Sequence, residues 1–178
     1  MTDDGGLPAA MSRRIDESPD AEFYSFPRFV THIDDGAIAA VGALYEQLGL
    51  GGTAVLDLMS SWVSHFRPGA EPKELTVLGM NDVELDANPL ATQRVLHDLN
   101  ADPSLPFDDD SFDHATVCVS VDYLTRPVEV FREVARVLRP GGYFVVTFSN
   151  RLFPTKAIRG WLNTDSVGHC RIVQSYFD

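Results

Sequence analysis

Residues 113–148 decide the fold, and they read DHATVCVSVDYLTRPVEVFREVARVLRPGGYFVVTF. Residues 113–121 are rich in β-branched side chains and predict a strand. A helix then begins near Pro127, and the Pro-Gly-Gly at 140–142 ends it. Residues 143–148 predict a second strand. A strand, a helix and a strand in this order indicate the α/β class with a mainly parallel sheet.

The same alternation runs through the preceding part of the chain. Apolar residues at helical spacing over 38–48 predict a helix that stops at Gly49. Two short apolar runs, 53–58 and 74–79, have the pattern of buried strands. A helix over 82–93 and a weak strand over 94–98 follow. Since ligands bind beyond the carboxyl ends of such strands, we expect the site among the residues directly after them.

Length and charge exclude several classes of protein. A length of 178 residues predicts one domain, or one domain with an arm, and 14 Lys and Arg against 26 Asp and Glu give a net charge of −12. This balance argues against nucleic acid or an anionic membrane as a partner. Neither a run of about 18 apolar residues nor a signal-peptide core is present, and the two cysteines, Cys118 and Cys170, make no disulfide framework. The five histidines lack metal-ligand spacing. We therefore expect a cytoplasmic protein without a metal.

The kind of charge is also informative. Only Lys73 and Lys156 are lysines, whereas 18 of the 26 acids are Asp. An acidic chain rich in Asp and poor in Lys is typical of a salt-loving cytoplasm, where salt screens the self-repulsion of the protein. We therefore interpret the protein as halophilic; the alternative is an ordinary acidic protein that prefers Arg.

The chain divides into an arm and a domain. Residues 1–20 are charged and contain Gly and Pro, which predicts a flexible acidic arm, and 21–178 form the α/β domain. The first residues of the domain are dense in aromatic side chains, and they form either a lid over the ligand or a hydrophobic arm docked on the core. The lid candidates are Phe23, Tyr24, Phe26, Arg28, Phe29 and His32.

Four segments in order carry a family resemblance: 55–58 before a turn, 77–81, 105–113 and 131–144. Together they resemble the class I S-adenosylmethionine-dependent methyltransferases, close to the small-molecule type 11 branch, over residues 35–160. The resemblance implies a Rossmann-like, doubly wound sheet with helices on both faces. It also implies S-adenosyl-L-methionine as cofactor and a small molecule as methyl acceptor.

The resemblance assigns cofactor contacts residue by residue. Asp57 matches the acid that ends the first strand, but the turn after it has no glycine, although glycine would leave room for a ligand. Asn81 stands where the family has the ribose-binding acid, with Asp82 beside it, and Asp98 with Leu99 matches the adenine side. The implied cofactor contacts are Asp57, Met59, Ser60, Ser61, Asn81, Asp82, Asp98, Leu99 and Ser120.

The acceptor side is less defined. Trp62, His65 and Tyr123 are candidates for lining a substrate pocket. Methyl transfer does not always need a base, because catalysis can be mostly alignment. If the acceptor must lose a proton, Asp122, Tyr123 and His65 are the candidates to accept it.

Two functions remain open at this point. The first is methyl transfer from S-adenosylmethionine to a small molecule. The second is a catalytically degenerate member of the fold that acts as a binding or interaction module, as the glycine-less turn and Asn81 suggest. The family's closing antiparallel hairpin is missing after residues 143–148, which predicts a shortened chain or a bare strand edge covered by a partner, such as a second copy in a homodimer.

Overall fold

A computed structural model of the protein describes residues 8–178. Its helices are α1 Ala9–Ser12, α2 Asp20–Phe23, α3 Asp35–Gln47, α4 Asp82–Ala87, α5 Pro127–Val137, α6 Arg159–Leu162 and α7 Ser166–Phe177. Its strands are β1 Ala54–Leu58, β2 Glu74–Gly79, β3 Gln93–Leu96, β4 Phe112–Cys118 and β5 Leu138–Thr147.

The five strands form one parallel sheet in the order β3-β2-β1-β4-β5. The predicted α/β, doubly wound architecture is confirmed. Strand order reverses between β1 and β4, which is where a crevice opens in this kind of sheet. In β1, Asp57 lies opposite Val77 of β2 and Thr116 of β4.

Both faces of the sheet are covered by apolar packing. One buried cluster joins Leu56 and Val117 to α5 and α7, and the other joins Val55 and Val77 to α3. Alternate residues of each strand therefore pack into the apolar clusters on opposite faces of the sheet. This explains why the strands are nearly continuous apolar runs. Within the described part of the chain the sheet has no antiparallel strand. No helix among residues 8–178 has the length and apolar character that crossing a membrane requires.

Some predicted boundaries differ from the observed ones. Helix α4 stops at Ala87 instead of 93 because Asn88 precedes Pro89 and is extended, with ψ of 112°. Strand β4 stops at Cys118 because Val119 has a φ of +51°, which turns the chain into a short 3-10 helix at Val121–Tyr123. Strand β5 begins at Leu138, directly after α5, so the Pro-Gly-Gly segment belongs to the strand, next to a register shift.

The predicted arm is partly described. Residues 1–7 lie outside the described residues, whereas 8–20 form α1 and the start of α2 and pack against the domain. Lys156, fully buried, pairs with Asp16 at 3.2 Å and Asp20 at 3.1 Å, and Arg14 pairs with Asp20 at 2.7 Å. Because these partners are far apart in sequence, composition alone does not reveal the ion pairs and predicts a flexible arm. The domain boundary at residue 20 stays a prediction.

Candidate functional site

A cavity of about 450 Å³ opens at the carboxyl ends of β1, β2, β3 and β4. Its position is the switch point in strand order, and its volume falls within the range of ligand pockets. Its walls come from the turn after β1, the start of α4, the segments after β3, β4 and β5, and the chain before α3.

Most cofactor contacts expected from the sequence line this one cavity. Asp82 is the exception, since its side chain is exposed and accepts a hydrogen bond of 2.9 Å from the backbone N–H of Val83. The others, which come from four different strand ends, are Asp57, Met59, Ser60, Ser61, Asn81, Asp98, Leu99 and Ser120.

Asp57 is buried at the floor of the cavity and is satisfied by hydroxyl groups. Ser60 and Ser64 donate to one carboxylate oxygen at 2.6 and 2.7 Å, and Thr116 donates to the other at 2.8 Å. Burial raises the pKa of Asp57, while these three donors act to lower it. The serines of the glycine-less turn therefore hold the acid of β1.

The turn after β1 keeps a glycine-like backbone without a glycine. Met59 has a φ of +53°, the left-handed conformation that glycine adopts without strain. The turn also approaches β2 closely, because a Cβ at Gly79 would lie 2.4 Å from the carbonyl oxygen of Ser60. Trp62 turns away: its indole N–H donates to the carbonyl of Val30 at 3.1 Å, and it does not line the cavity. The turn thus opens on a hollow that no tryptophan fills.

The two polar ends of the Asn81 side chain are both engaged. Its oxygen accepts from the backbone N–H of Glu84 at 3.0 Å, which caps α4, and its amide donates to the carbonyl of Tyr24 at 2.9 Å. Asn81 therefore fixes the start of α4 and the chain that lies over it.

Glu84 is a cavity residue that the sequence analysis did not identify. Its carboxylate accepts from the backbone N–H of Arg28 at 2.6 Å and from the hydroxyl of Ser61 at 2.5 Å. The available signal was its position one helical turn after Asn81, which places both side chains on the same side of α4.

On the opposite side of the cavity, Asp98 begins a tight loop. One of its carboxylate oxygens accepts from the backbone N–H groups of Asn100 and Ala101, at 2.9 and 3.2 Å. Asn100 in turn donates to Asp20 at 2.8 Å and to the carbonyl of Tyr123 at 2.9 Å. The segment 98–100 is therefore held between the N-terminal residues and the segment after β4.

The aromatic segment before α3 covers one side of the cavity. Tyr24, Arg28 and His32 line it, whereas Phe26 and Phe29 are 77% and 51% exposed. Its backbone carbonyls accept hydrogen bonds from Asn81 and Trp62, and its N–H at Arg28 donates to Glu84. The segment is therefore both docked on the core and in contact with the cavity.

The three candidate proton acceptors lie in different surroundings. Tyr123 lines the cavity, its hydroxyl accepts from the N–H of Phe153 at 2.9 Å, and burial raises its pKa. His65 also lines the cavity, and burial lowers its pKa although Asp57 opposes this. Asp122 does not line the cavity; it is buried, and one of its oxygens lacks a partner among residues 8–178. Burial raises the pKa of Asp122 to about 7.

About half of the chain, including most of the cavity-lining strand ends, is similar in sequence to known proteins. Residues 59–146, from the turn after β1 into β5, match the sequence model of the family described as "Methyltransferase domain". Methyltransferase GfsG from Streptomyces halstedii is 33% identical over 114 residues, which are 58% of this chain and 40% of that protein. Residues 59–146 thus belong to this methyltransferase domain family.

Solved structures agree with the fold of this methyltransferase domain. The PH0226 protein from Pyrococcus horikoshii OT3 has a TM-score of 0.54 at 20% identity, over 72% of this chain and 66% of that one. A SAM-dependent methyltransferase from Aquifex aeolicus has a TM-score of 0.51 at 15% identity, over 81% of this chain and 88% of that one. The methyltransferase domain spans less than half the length of the curated relatives it matches.

Proposed function

We propose that the cavity binds S-adenosyl-L-methionine and that the protein transfers its methyl group to a small-molecule acceptor. The observation that carries the proposal is the convergence of residues from four strand ends on one cavity; of the expected cofactor contacts, only Asp82 lies outside it. The match to the methyltransferase family supports the cofactor class, and the position of the cavity supports the location of its binding site.

The residues of the cavity fit this cofactor. Asp98 has a carboxylate oxygen that makes no hydrogen bond within residues 8–178 and is suited to the adenine amino group, with Leu99 beside it. Among the carboxylates that line the cavity, Glu84 is the nearest in sequence to Asn81, the ribose position of the family, and each of its oxygens retains acceptor capacity for a hydroxyl. Met59 provides the left-handed bend beside which the methionine part would lie.

The acceptor side is formed by Ser120, Tyr123 and Phe153 after β4 and β5. The cofactor, when bound, supplies a methyl carbon whose bond to sulfur breaks as the acceptor atom bonds to it, the electron pair staying on sulfur. The chain's own residues hold the two molecules in line and exclude water. His65, neutral at physiological pH because burial lowers its pKa, is able to accept a proton from the acceptor.

Calorimetric titration with S-adenosylmethionine and S-adenosylhomocysteine tests this function. We expect both to bind the wild type, and Glu84→Gln and Asp98→Asn to weaken binding by about tenfold each. Asp82→Asn, at the exposed position, should leave binding unchanged. An affected Asp82 variant with unaffected Glu84 would move the ribose site back to the position expected from the sequence.

The second candidate is a binding module without catalysis. It is favoured by the engagement of Asn81 with Tyr24 and of Asp57 with three hydroxyls, which leaves the two best-known cofactor positions occupied by the chain itself. Absence of binding of either nucleoside, at low and at molar salt, would support the module and contradict the transferase.

We also infer that a second copy pairs with the outer edge of β5. Within residues 8–178 no strand covers this edge, and Tyr143 on it is 49% exposed. Sedimentation equilibrium should then report a dimer, and a monomer at high concentration would exclude the pairing. Both cysteines are unpaired and Cys170 is exposed, which fits a cytoplasmic location.

A further inference from the structure

Arg28 lines the cavity, and among the described residues its guanidinium group has no carboxylate partner. It lies 4.6 Å from the ring centre of Phe23 and 5.4 Å from that of Phe153. Its strongest hydrogen bond goes to the carbonyl of Phe23 at 2.8 Å, and a weaker one goes to the carbonyl of Phe26 at 3.4 Å. Among residues 8–178 it makes no ion pair with a carboxylate, and its two hydrogen bonds leave some of its five N–H donors available to a ligand.

Three acids of the cavity, Asp20, Asp57 and Glu84, have charged or hydrogen-bonding partners within the chain, whereas Asp98 keeps one carboxylate oxygen without a hydrogen bond among residues 8–178. Asp20 is paired with Arg14 and Lys156. Asp57 accepts from three hydroxyls, and Glu84 accepts from a backbone N–H and a hydroxyl. In a chain of net charge −12, where carboxylates are plentiful, an arginine left without one in a cavity indicates a ligand with a negative charge.

Aromatic rings surround this charge. The ring of Phe153 lies 5.3 Å from Phe23, 5.3 Å from His32 and 5.9 Å from Tyr123, measured between ring centres. Of these rings, His32, Tyr123 and Phe153 line the cavity, and we call these three the aromatic roof. Tyr123 and Phe153 follow β4 and β5, which is the acceptor side of the cavity.

We propose that the methyl acceptor is an aromatic carboxylic acid whose carboxylate binds Arg28 and whose ring packs against the aromatic roof. This inference rests on the proposed function, since it names the acceptor of that reaction. A planar fork of N–H donors matches a carboxylate with two parallel hydrogen bonds. Flat apolar faces beside it suit an unsaturated ring through edge and offset packing.

Binding of three probes tests the proposal: cinnamate, its neutral amide cinnamamide, and 3-cyclohexylpropionate, which keeps the charge and lacks the planar ring. Calorimetry on the full chain should show cinnamate binding roughly tenfold or more tightly than either other probe. Arg28→Gln should abolish the preference for cinnamate over cinnamamide. Phe153→Leu should weaken the binding of cinnamate and of cinnamamide and keep the preference for cinnamate. A general loosening of the covering segment would reduce that preference as well. Arg126→Gln, an exposed arginine paired with Glu129 outside the cavity, is the control.

Parallel titrations separate this proposal from the cofactor assignment. S-adenosylhomocysteine carries a carboxylate of its own, and 5′-methylthioadenosine lacks it. We expect Arg28→Gln to leave the affinities for both nucleosides unchanged. If the variant weakens S-adenosylhomocysteine alone, Arg28 binds the carboxylate of the cofactor and the acceptor assignment is wrong. Equal binding of cinnamate and cinnamamide to the wild type, or no binding of cinnamate up to about 10 mM, would also overturn it. Neither of these two results with cinnamate affects the calorimetric test of nucleoside binding, so the two proposals can fail separately.

Discussion

The side-chain amide of Asn81 donates a hydrogen bond of 2.9 Å to the backbone carbonyl of Tyr24, a residue 57 positions earlier in the chain. The same side chain caps α4 through its oxygen. One buried residue thus connects the segment that covers the cavity to the helix that forms its wall.

Asn81→Asp separates these two contacts. The carboxylate retains the cap on Glu84 but has no N–H for the carbonyl of Tyr24, so the variant should lose about 1–3 kcal/mol of stability. Hydrogen exchange should become faster at residues 24–28 and stay unchanged in the first turn of α4. Asn163→Asp, at an exposed position, serves as the control. Equal acceleration in both segments would show that the cap was lost as well.

Met59 tests whether the turn requires a glycine-like backbone. Since Met59 has a φ of +53°, Met59→Gly should be more stable than Met59→Ala by about 1 kcal/mol. Both variants remove the long side chain, so the difference reports the backbone conformation. Urea unfolding measures it, and an alanine variant as stable as the glycine variant would show that position 59 relaxes to negative φ.

Asp122 should make stability depend on pH. Burial raises its pKa to about 7, so the folded protein disfavours the ionised form. The contribution of this group to stability is fully present below the unfolded pKa, near 4, and is lost as the pH rises through about 7. Asp122→Asn should therefore stabilise the protein relative to wild type at pH 8, by up to about 4 kcal/mol, and much less at pH 4. Urea unfolding at the two pH values checks this, and a difference independent of pH would contradict the burial of a neutral carboxyl group.

The buried Lys156 holds the N-terminal residues on the domain, and the exposed Lys73 provides a matched control for its substitution. We call the contacts of Lys156 with Asp16, Ser18 and Asp20 the tether. Lys156 is fully buried among Asp16, Asp20 and the carbonyl of Ser18, whereas the side chain of Lys73 is 75% exposed. Lys156→Met should cost about 1–3 kcal/mol, because Asp20 keeps Arg14 as a partner. Lys73→Met should cost almost nothing. Trypsin cleavage after Arg13 and Arg14 should become faster only in the Lys156 variant, and equal cleavage would contradict the tether.

The acidic composition leads to a prediction about salt. With a net charge of −12 and few lysines, screening of self-repulsion should raise the free energy of unfolding steadily from about 0.1 M to molar KCl. Refolding across a KCl series measures this effect. Equal stability at low and molar salt would exclude the halophilic interpretation.

The sheet could be predicted because its signals are local. Buried strands such as β1 are continuous apolar runs, and α5 has a proline start and a clear apolar face. The predicted end of a strand was wrong where the conformation of a single residue decided it. Val119 is the example, because its β-branched side chain does not indicate a positive φ.

The position of the candidate site could be predicted from the sequence, whereas the hydrogen bonds of its residues could not. Strand ends identified Asp57 and Asp98, because parallel strands bring their carboxyl ends together. The partners of these residues were not predictable, since Ser64, Thr116 and Glu84 acquire their roles through contacts between distant segments. The burial of Lys156 was missed for the same reason, because its partners lie 136 or more positions earlier.

Helix capping and access to the cavity are linked through Asn81. Fraying of the first turn of α4 would displace Asn81 and with it the hydrogen bond to Tyr24, so we expect the segment over the cavity to loosen when the start of the helix melts. The rate at which a nucleoside enters should therefore follow the local opening of α4. A variant chosen only to strengthen that helix would slow the exchange of bound molecules without touching any atom that contacts them.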